Sequence, residues 1–168
     1  MNLTSELYPL VEYVPGEDLD LFQDDAELPF DLSVSEELTD SEDAMERVAA
    51  WLDDADGFAE KARAYLCHLL QEQDSEDYNT LRFFLDFHRD ELGEDVVKAL
   101  FPGEPLNELT DERMVEFLSI RRLAAVISDD TSEEAVQLDL SFNPEITDEV
   151  LLVELTPDKE ITYIEHES

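Results

Sequence analysis

The chain has 168 residues, of which 46 are Asp or Glu and only 10 are Lys or Arg, giving a formal net charge of −36 at pH 7, while 43% of residues are still apolar. That apolar share repays chain entropy, so charge-driven disorder is excluded; a surface this negative repels phosphates, which excludes direct binding to nucleic acid or to an anionic membrane face. The lone Cys67 forms no internal disulfide, one Cys with three scattered His makes no zinc site, and no basic leader or bilayer-long apolar run is present, so the chain is expected to be cytoplasmic, outside the membrane, and without a cofactor or metal.

The acidic excess is uneven along the chain. Residues 1–46 carry 15 acids and no base, residues 47–128 carry 18 acids and 9 bases, and residues 129–168 carry 13 acids and one base. The first segment has the period-two alternation of strands over 17–23 and 28–35, the second placing Leu28, Phe30, Leu32 and Val34 on one side. Asp24, Asp25 and Ala26 suit a hairpin loop between them, and 7–14 adds a strand before the Pro15-Gly16 turn.

Helical spacing begins at residue 40. Thr39 and Glu42 fit a capping box, and Met45, Val48 and Leu52 recur on one face of a helix over 40–52. Asp56-Gly57 precedes a second helix over 58–73. A third carries Leu81, Phe84, Leu85, His88 and Leu92 as an apolar stripe, with Phe83 and Phe87 as a second apolar edge assigned to the core and Gly93 as its C-terminal cap. A fourth spans 94–100, and Thr110 caps a short fifth reaching toward Leu118.

From residue 119 the alternation returns, over 120–127, 135–142, 149–155 and 160–165, separated by turn-forming segments such as Asn143-Pro144 and Pro157-Asp158. The predicted architecture is α+β in a single domain, 1–168: an antiparallel sheet built from the N-terminal hairpin and the C-terminal meander, with a central block of four to five helices.

The chemical motifs are weak. Asp53, Asp54, Asp56 and Gly57 resemble part of a calcium loop, yet with Gly57 in the glycine position Leu52 and Arg63 occupy the two positions that need carboxylates. His88-Arg89-Asp90 spells a kinase tripeptide, but it lies inside a periodic helix and lacks the other kinase signatures; His88 reads as a core histidine. His68 neighbours Cys67 on a helix, about 100° away, too far around to form a thiol–imidazole pair. Arg121-Arg122 is the only adjacent basic pair, one member facing sheet carboxylates, while Arg47, Lys61, Arg63, Arg82 and Arg89 read as surface ion pairs.

Residues 145–153 (EITDEVLLV) and 159–164 (KEITYI) with the Glu167-Ser168 end, the helix of Phe58 to Leu66, the Phe87 to Gly93 segment (FHRDELG) and an acidic hairpin before them resemble a bacterial family catalogued as domain of unknown function number two thousand and four. The resemblance implies a small cytosolic bacterial protein with no assigned reaction and no active-site residues to transfer.

The function expected from charge is that of a non-catalytic binding protein that neutralises a basic protein partner, in the manner of an immunity protein or inhibitor. Asp18, Asp20, Asp31, Asp139, Glu154 and Glu165 are its candidate contacts, because alternation turns them away from the apolar side of their strands. The alternatives are a salt-adapted protein, suited by an acidic excess with only three Lys, or a nucleic-acid mimic; a small hydrolase ranks last.

Overall fold

A computed structural model of the chain describes residues 2–3, 11–23 and 28–167. Two short strands, β1 (Asn2–Leu3) and β2 (Val11–Glu12), pair antiparallel. The main sheet places β3 (Leu19–Gln23), β4 (Phe30–Val34), β5 (Ser119–Ile127), β6 (Ala135–Ser141), β7 (Val150–Leu155) and β8 (Ile161–Glu167) side by side in sequence order. Hairpin and meander therefore form as their alternation predicts. The expected strand over 7–14 lies partly, and the loop at 24–26 wholly, outside the described residues.

The junction corrects the expected sheet. β4 and β5 run parallel, Phe30 opposite Leu123 and Val34 opposite Ile127. Parallel neighbours cannot be joined by a tight turn; the chain must travel back across the sheet to restart. Within that crossover lie α1 (Glu36–Thr39), α2 (Glu42–Asp53), α3 (Ala55–Leu69), α4 (Glu76–Asp86), α5 (Glu94–Leu100) and α6 (Asp111–Glu116). One connection thus supplies the helical layer on one face of the sheet, and the described residues place no helix on the other.

Helix boundaries follow local chemistry. Ser41 caps α2, its side chain accepting the Ala44 N–H at 3.3 Å. Thr39, expected in a capping box, instead ends α1 and is buried. Its Oγ1 accepts the Gly16 N–H at 3.0 Å and donates to the Glu17 carbonyl at 2.8 Å, fastening a turn in which Gly16 takes φ +84°. The second helix begins at Ala55 rather than at Phe58. There Asp54 folds over Gly57, where a Cβ would come within 2.5 Å of Oδ1, and pairs with Lys159 of the β7–β8 turn, whose Nζ lies 5.3 Å from the Phe58 ring centre. This part of the calcium-like acidic run is thereby engaged within the molecule.

The third helix also departs from expectation. It is α-helical over Glu76–Asp86, with Ser75 accepting the Tyr78 N–H at 3.0 Å, then widens into a π-helical turn over Phe87–Glu91. The His88 Nδ1–H donates to the Phe84 carbonyl at 2.8 Å, so a side chain competes for an acceptor in the helical ladder. Gly93, expected to cap this helix, sits at φ −62° and opens α5 instead. Thr110 caps α6 as expected, accepting the Arg113 N–H at 3.1 Å.

The core lies between the layers: Phe30, Leu32, Val34, Leu123, Leu138, Leu140 and Val153 meet Val48, Leu52, Phe58, Leu66, Phe84 and Met114, all buried. Each such large side chain contributes about 1.5–3 kcal/mol of transfer free energy. Phe83, assigned to the core by its spacing, is 63% exposed, because it lies beyond the edge of the stripe that α4 turns inward. Trp51 and Phe87 are half-buried.

Candidate interaction face

Period-two geometry puts alternate residues of every strand on the helix-free side of the sheet. The register lines them up in rows. One row crosses all six strands through Phe22, Asp31, Ala124, Gln137, Glu154 and Tyr163; a second runs through Arg122, Asp139, Leu152 and Glu165. Phe22 is 56% and Tyr163 38% exposed, so the first row ends in aromatic surface at both edges of the sheet, with a carboxylate, Asp31 or Glu154, next to each ring in register.

The six predicted contacts fare differently. Asp31, Asp139, Glu154 and Glu165 come together in these two rows, and Asp20 lies one row away opposite Ser33, whose hydroxyl donates to it at 2.8 Å. Asp18 precedes β3 and accepts the Glu36 N–H at 2.8 Å, so it satisfies a donor at the start of α1, where the helix dipole favours an anion. Glu154 is positioned by two donors, Gln137 Nε2 at 3.1 Å and Thr162 Oγ1 at 2.7 Å. Asp31 is 3.7 Å from Arg122, whose guanidinium lies 4.6 Å from the Phe22 ring centre, a cation–π contact that no spacing rule reveals.

Arg122 faces Asp139 across the β5–β6 register beside a bulge that carries Arg121. Burial raises the Asp139 carboxyl above the usual range, and the charges of Arg122 and Arg121 oppose that rise. A groove of about 440 Å³ beside this pair is lined by both arginines together with Asp139, Asp148, Val150 and Glu167.

A second cluster is chemically suggestive and geometrically closed. His88, completely buried, donates through Nδ1 to the Phe84 carbonyl and accepts at Nε2 from the Thr147 hydroxyl at 3.0 Å. The rings of Phe84 and Phe142 lie 4.5 and 4.8 Å from its own. Burial holds its pKa below the ordinary histidine value, despite the Phe84 carbonyl and Glu149 acting the other way. A hydroxyl bonded to an imidazole suggests a nucleophile, but Thr147 is itself 6% exposed and the orienting partner is a carbonyl. His88 is a core histidine, as its place on the stripe implies. Nearby, His166 pairs with Glu149 and packs 5.3 Å from Phe83.

Of the helical-layer cations expected in ion pairs, Arg82 and Arg89 are paired with carboxylates, whereas Arg63 bonds a backbone carbonyl. Arg82 grips Asp111 bidentately at 2.6 and 2.9 Å, and Arg89 reaches the same carboxylate at 2.9 Å. The Arg82 hydrogen bonds hold the Asp111 carboxyl below the usual range. Arg63 donates to the Leu118 carbonyl at 3.1 Å. Among the described residues, no three His, Cys, Asp or Glu side chains converge to hold a metal ion, and no helix is long and apolar enough to cross a membrane. Compared with known proteins, the chain matches no family model, no curated protein and no solved structure.

Proposed function

We propose that the chain is a non-catalytic binding protein whose helix-free sheet face neutralises a basic partner protein. The observation that carries this reading is the composition of that face: carboxylates at Asp31 and Glu154 in register with exposed Phe22 and Tyr163, and carboxylates at Asp139 and Glu165 in the adjacent row. Carboxylates steer a cationic partner and raise its association rate about 10–10³-fold at low salt, while aromatic surface supplies the desolvated contact that charge alone does not. The test is affinity capture at low ionic strength with the wild type and with a triple variant, Asp31→Lys, Glu154→Lys and Glu165→Lys. A basic protein retained by the wild type, released by salt and lost by the variant supports the proposal; identical prey on both baits refutes it.

A second reading has its own support. Acids also coat the helical layer, at Glu42, Asp43, Glu46, Glu60, Glu72 and Asp74, as suits a protein adapted to high salt, where the Debye length falls to about 3 Å at 1 M. Thermal melting separates the two: unfolding in dilute buffer that molar salt reverses favours salt adaptation, and equal melting temperatures in both favour binding.

A further inference from the structure

We infer that β8 and α4 form a strand-addition groove that takes an extended basic segment of the partner. This rests on the partner being basic, and it names how that partner is held.

β8 ends the sheet order, and no described residue pairs with its outer edge. An edge strand presents a row of unpaired backbone N–H and C=O groups, a template for a further strand. Beside it α4 packs along β8, and between them lies a groove of about 510 Å³, open to solvent and lined by Asn79, Thr80 and Phe83 from the helix and by Ile164, Glu165 and His166 from the strand. A helix alongside an exposed sheet edge is the geometry in which an added peptide gains affinity from main-chain hydrogen bonds and specificity from alternate side chains.

The side chains define the occupant. Phe83 offers an apolar wall, 63% exposed and held against the His166 ring at 5.3 Å. His166 is fixed in turn by Glu149. This wall accepts one aliphatic side chain of an incoming strand. The neighbouring side chains are acidic: Glu165 and Glu167 along β8, and Glu76 in the first turn of α4, whereas Asp77 is turned to the Tyr65 hydroxyl of α3. A strand alternating apolar and basic residues satisfies both. The same carboxylates make a second copy of β8 a poor partner, since like charges would meet across the new ladder; the edge is protected against self-association and open to cations.

The probe is a fluorescent eight-residue peptide alternating Lys and Val, compared with the same peptide N-methylated at alternate residues, which keeps charge and composition but removes the donors along one edge. Anisotropy and amide chemical shifts of the full chain are followed at low salt. The expected result is binding that shifts residues 161–167 and 79–83, weakens at least tenfold on N-methylation, and weakens at least tenfold in Phe83→Ser, which removes the exposed apolar wall without adding charge. If both peptides bind equally and the Asp31→Lys, Glu154→Lys pair abolishes both, attraction is to the sheet face: strand addition is overturned while the basic-partner reading stands. If neither peptide binds, strand addition is overturned, and the basic-partner reading is decided separately by the capture experiment.

Discussion

The two faces of the main sheet come from the same strands and differ residue by residue. On β4, Phe30, Leu32 and Val34 point into the helical layer and are buried, whereas Asp31 and Ser33 point the other way; on β6, Val136, Leu138 and Leu140 are buried and Gln137 and Asp139 are not. Which face is covered was decided by connectivity. Because β4 and β5 are parallel, the crossover that joins them carries the helices to one side. Net charge alone does not separate the faces, since the helical layer is acidic as well. They differ in what accompanies the carboxylates. In the helical layer Arg82, Arg89 and Arg113 are drawn into local pairs with Asp86, Asp111, Glu104 and Glu116. On the helix-free face Asp20, Asp31, Asp139, Glu154, Glu165 and Glu167 share the strands with Arg122 and with exposed Phe22 and Tyr163.

The largest expected break falls on the covered face. Phe84 is completely buried, stacked on Phe142 at 5.5 Å and edge-on to His166 at 5.2 Å. Phe84→Ala removes a ring that its neighbours cannot replace and should cost about 3–5 kcal/mol, seen as a lower urea midpoint at unchanged slope. A loss under about 1 kcal/mol would mean that the layers are not packed through this residue.

Next comes the ion pair that ties α4 to α6. Asp111→Asn leaves Arg82 with Asp86 and Arg89 with the Leu109 carbonyl, so partial compensation is built in. Both partners are part-exposed, and solvent screening reduces the loss to about 1 kcal/mol. Because the Asp111 carboxyl titrates below its ordinary value, its contribution is present above about pH 3.8 and is lost as pH falls through the folded value. Wild type and variant should therefore converge in acid. A gap that persists there would point to packing rather than charge.

Much of this comparison was legible in the sequence, and the misses share a cause. Alternation located the strands of hairpin and meander and turned Asp20, Asp31, Asp139, Glu154 and Glu165 to one side, because a period of two is a local property of the strand. It could not reveal that β4 and β5 are parallel neighbours, a pairing between segments about 90 residues apart. Capping residues were visible as types but not as partners: Thr39 and Ser41 are both competent, and only the tertiary tether from Thr39 to Gly16 and Glu17 decides between them. The π-helical turn follows from where His88 finds an acceptor, and the exposure of Phe83 from which strand α4 lies beside. The Arg122–Phe22 contact needs register and topology together.

His88 sharpens the covered face further. The folded state holds the imidazole neutral with both nitrogens bonded, and its pKa is lowered chiefly by burial. The unfolded chain takes up a proton near pH 6.5 and the folded chain does not, so this residue's contribution declines as pH drops below that value, by at most about 1.4 kcal/mol per pH unit. Falling pH also relieves the self-repulsion of a chain with net charge −36, which acts in the opposite direction. The useful quantity is therefore the difference between wild type and His88→Gln, measured in urea at pH 7.5 and 5.5. The variant should be less stable at pH 7.5, with a smaller gap at pH 5.5; a gap independent of pH would show that the histidine titrates alike in both states.

The smallest stability effect belongs to the helix-free face, and it is the one that tests whether that face has a purpose. Phe22→Thr and Tyr163→Thr keep β propensity while removing exposed aromatic surface, so each should change stability by no more than about 0.5–1 kcal/mol. If the face serves only to keep the chain dissolved, nothing else should follow. If it grips a basic partner, these same variants should speed dissociation of the captured protein, because desolvated aromatic contacts act on the bound state. Replacing Asp31 and Glu154 with Lys should instead slow association and flatten its dependence on salt. Surface plasmon resonance on the partner resolves both rates. Off-rate changes confined to the aromatic pair and on-rate changes confined to the carboxylates would give each half of the face its own role, and a uniform absence of either change would reduce it to a solvated coat.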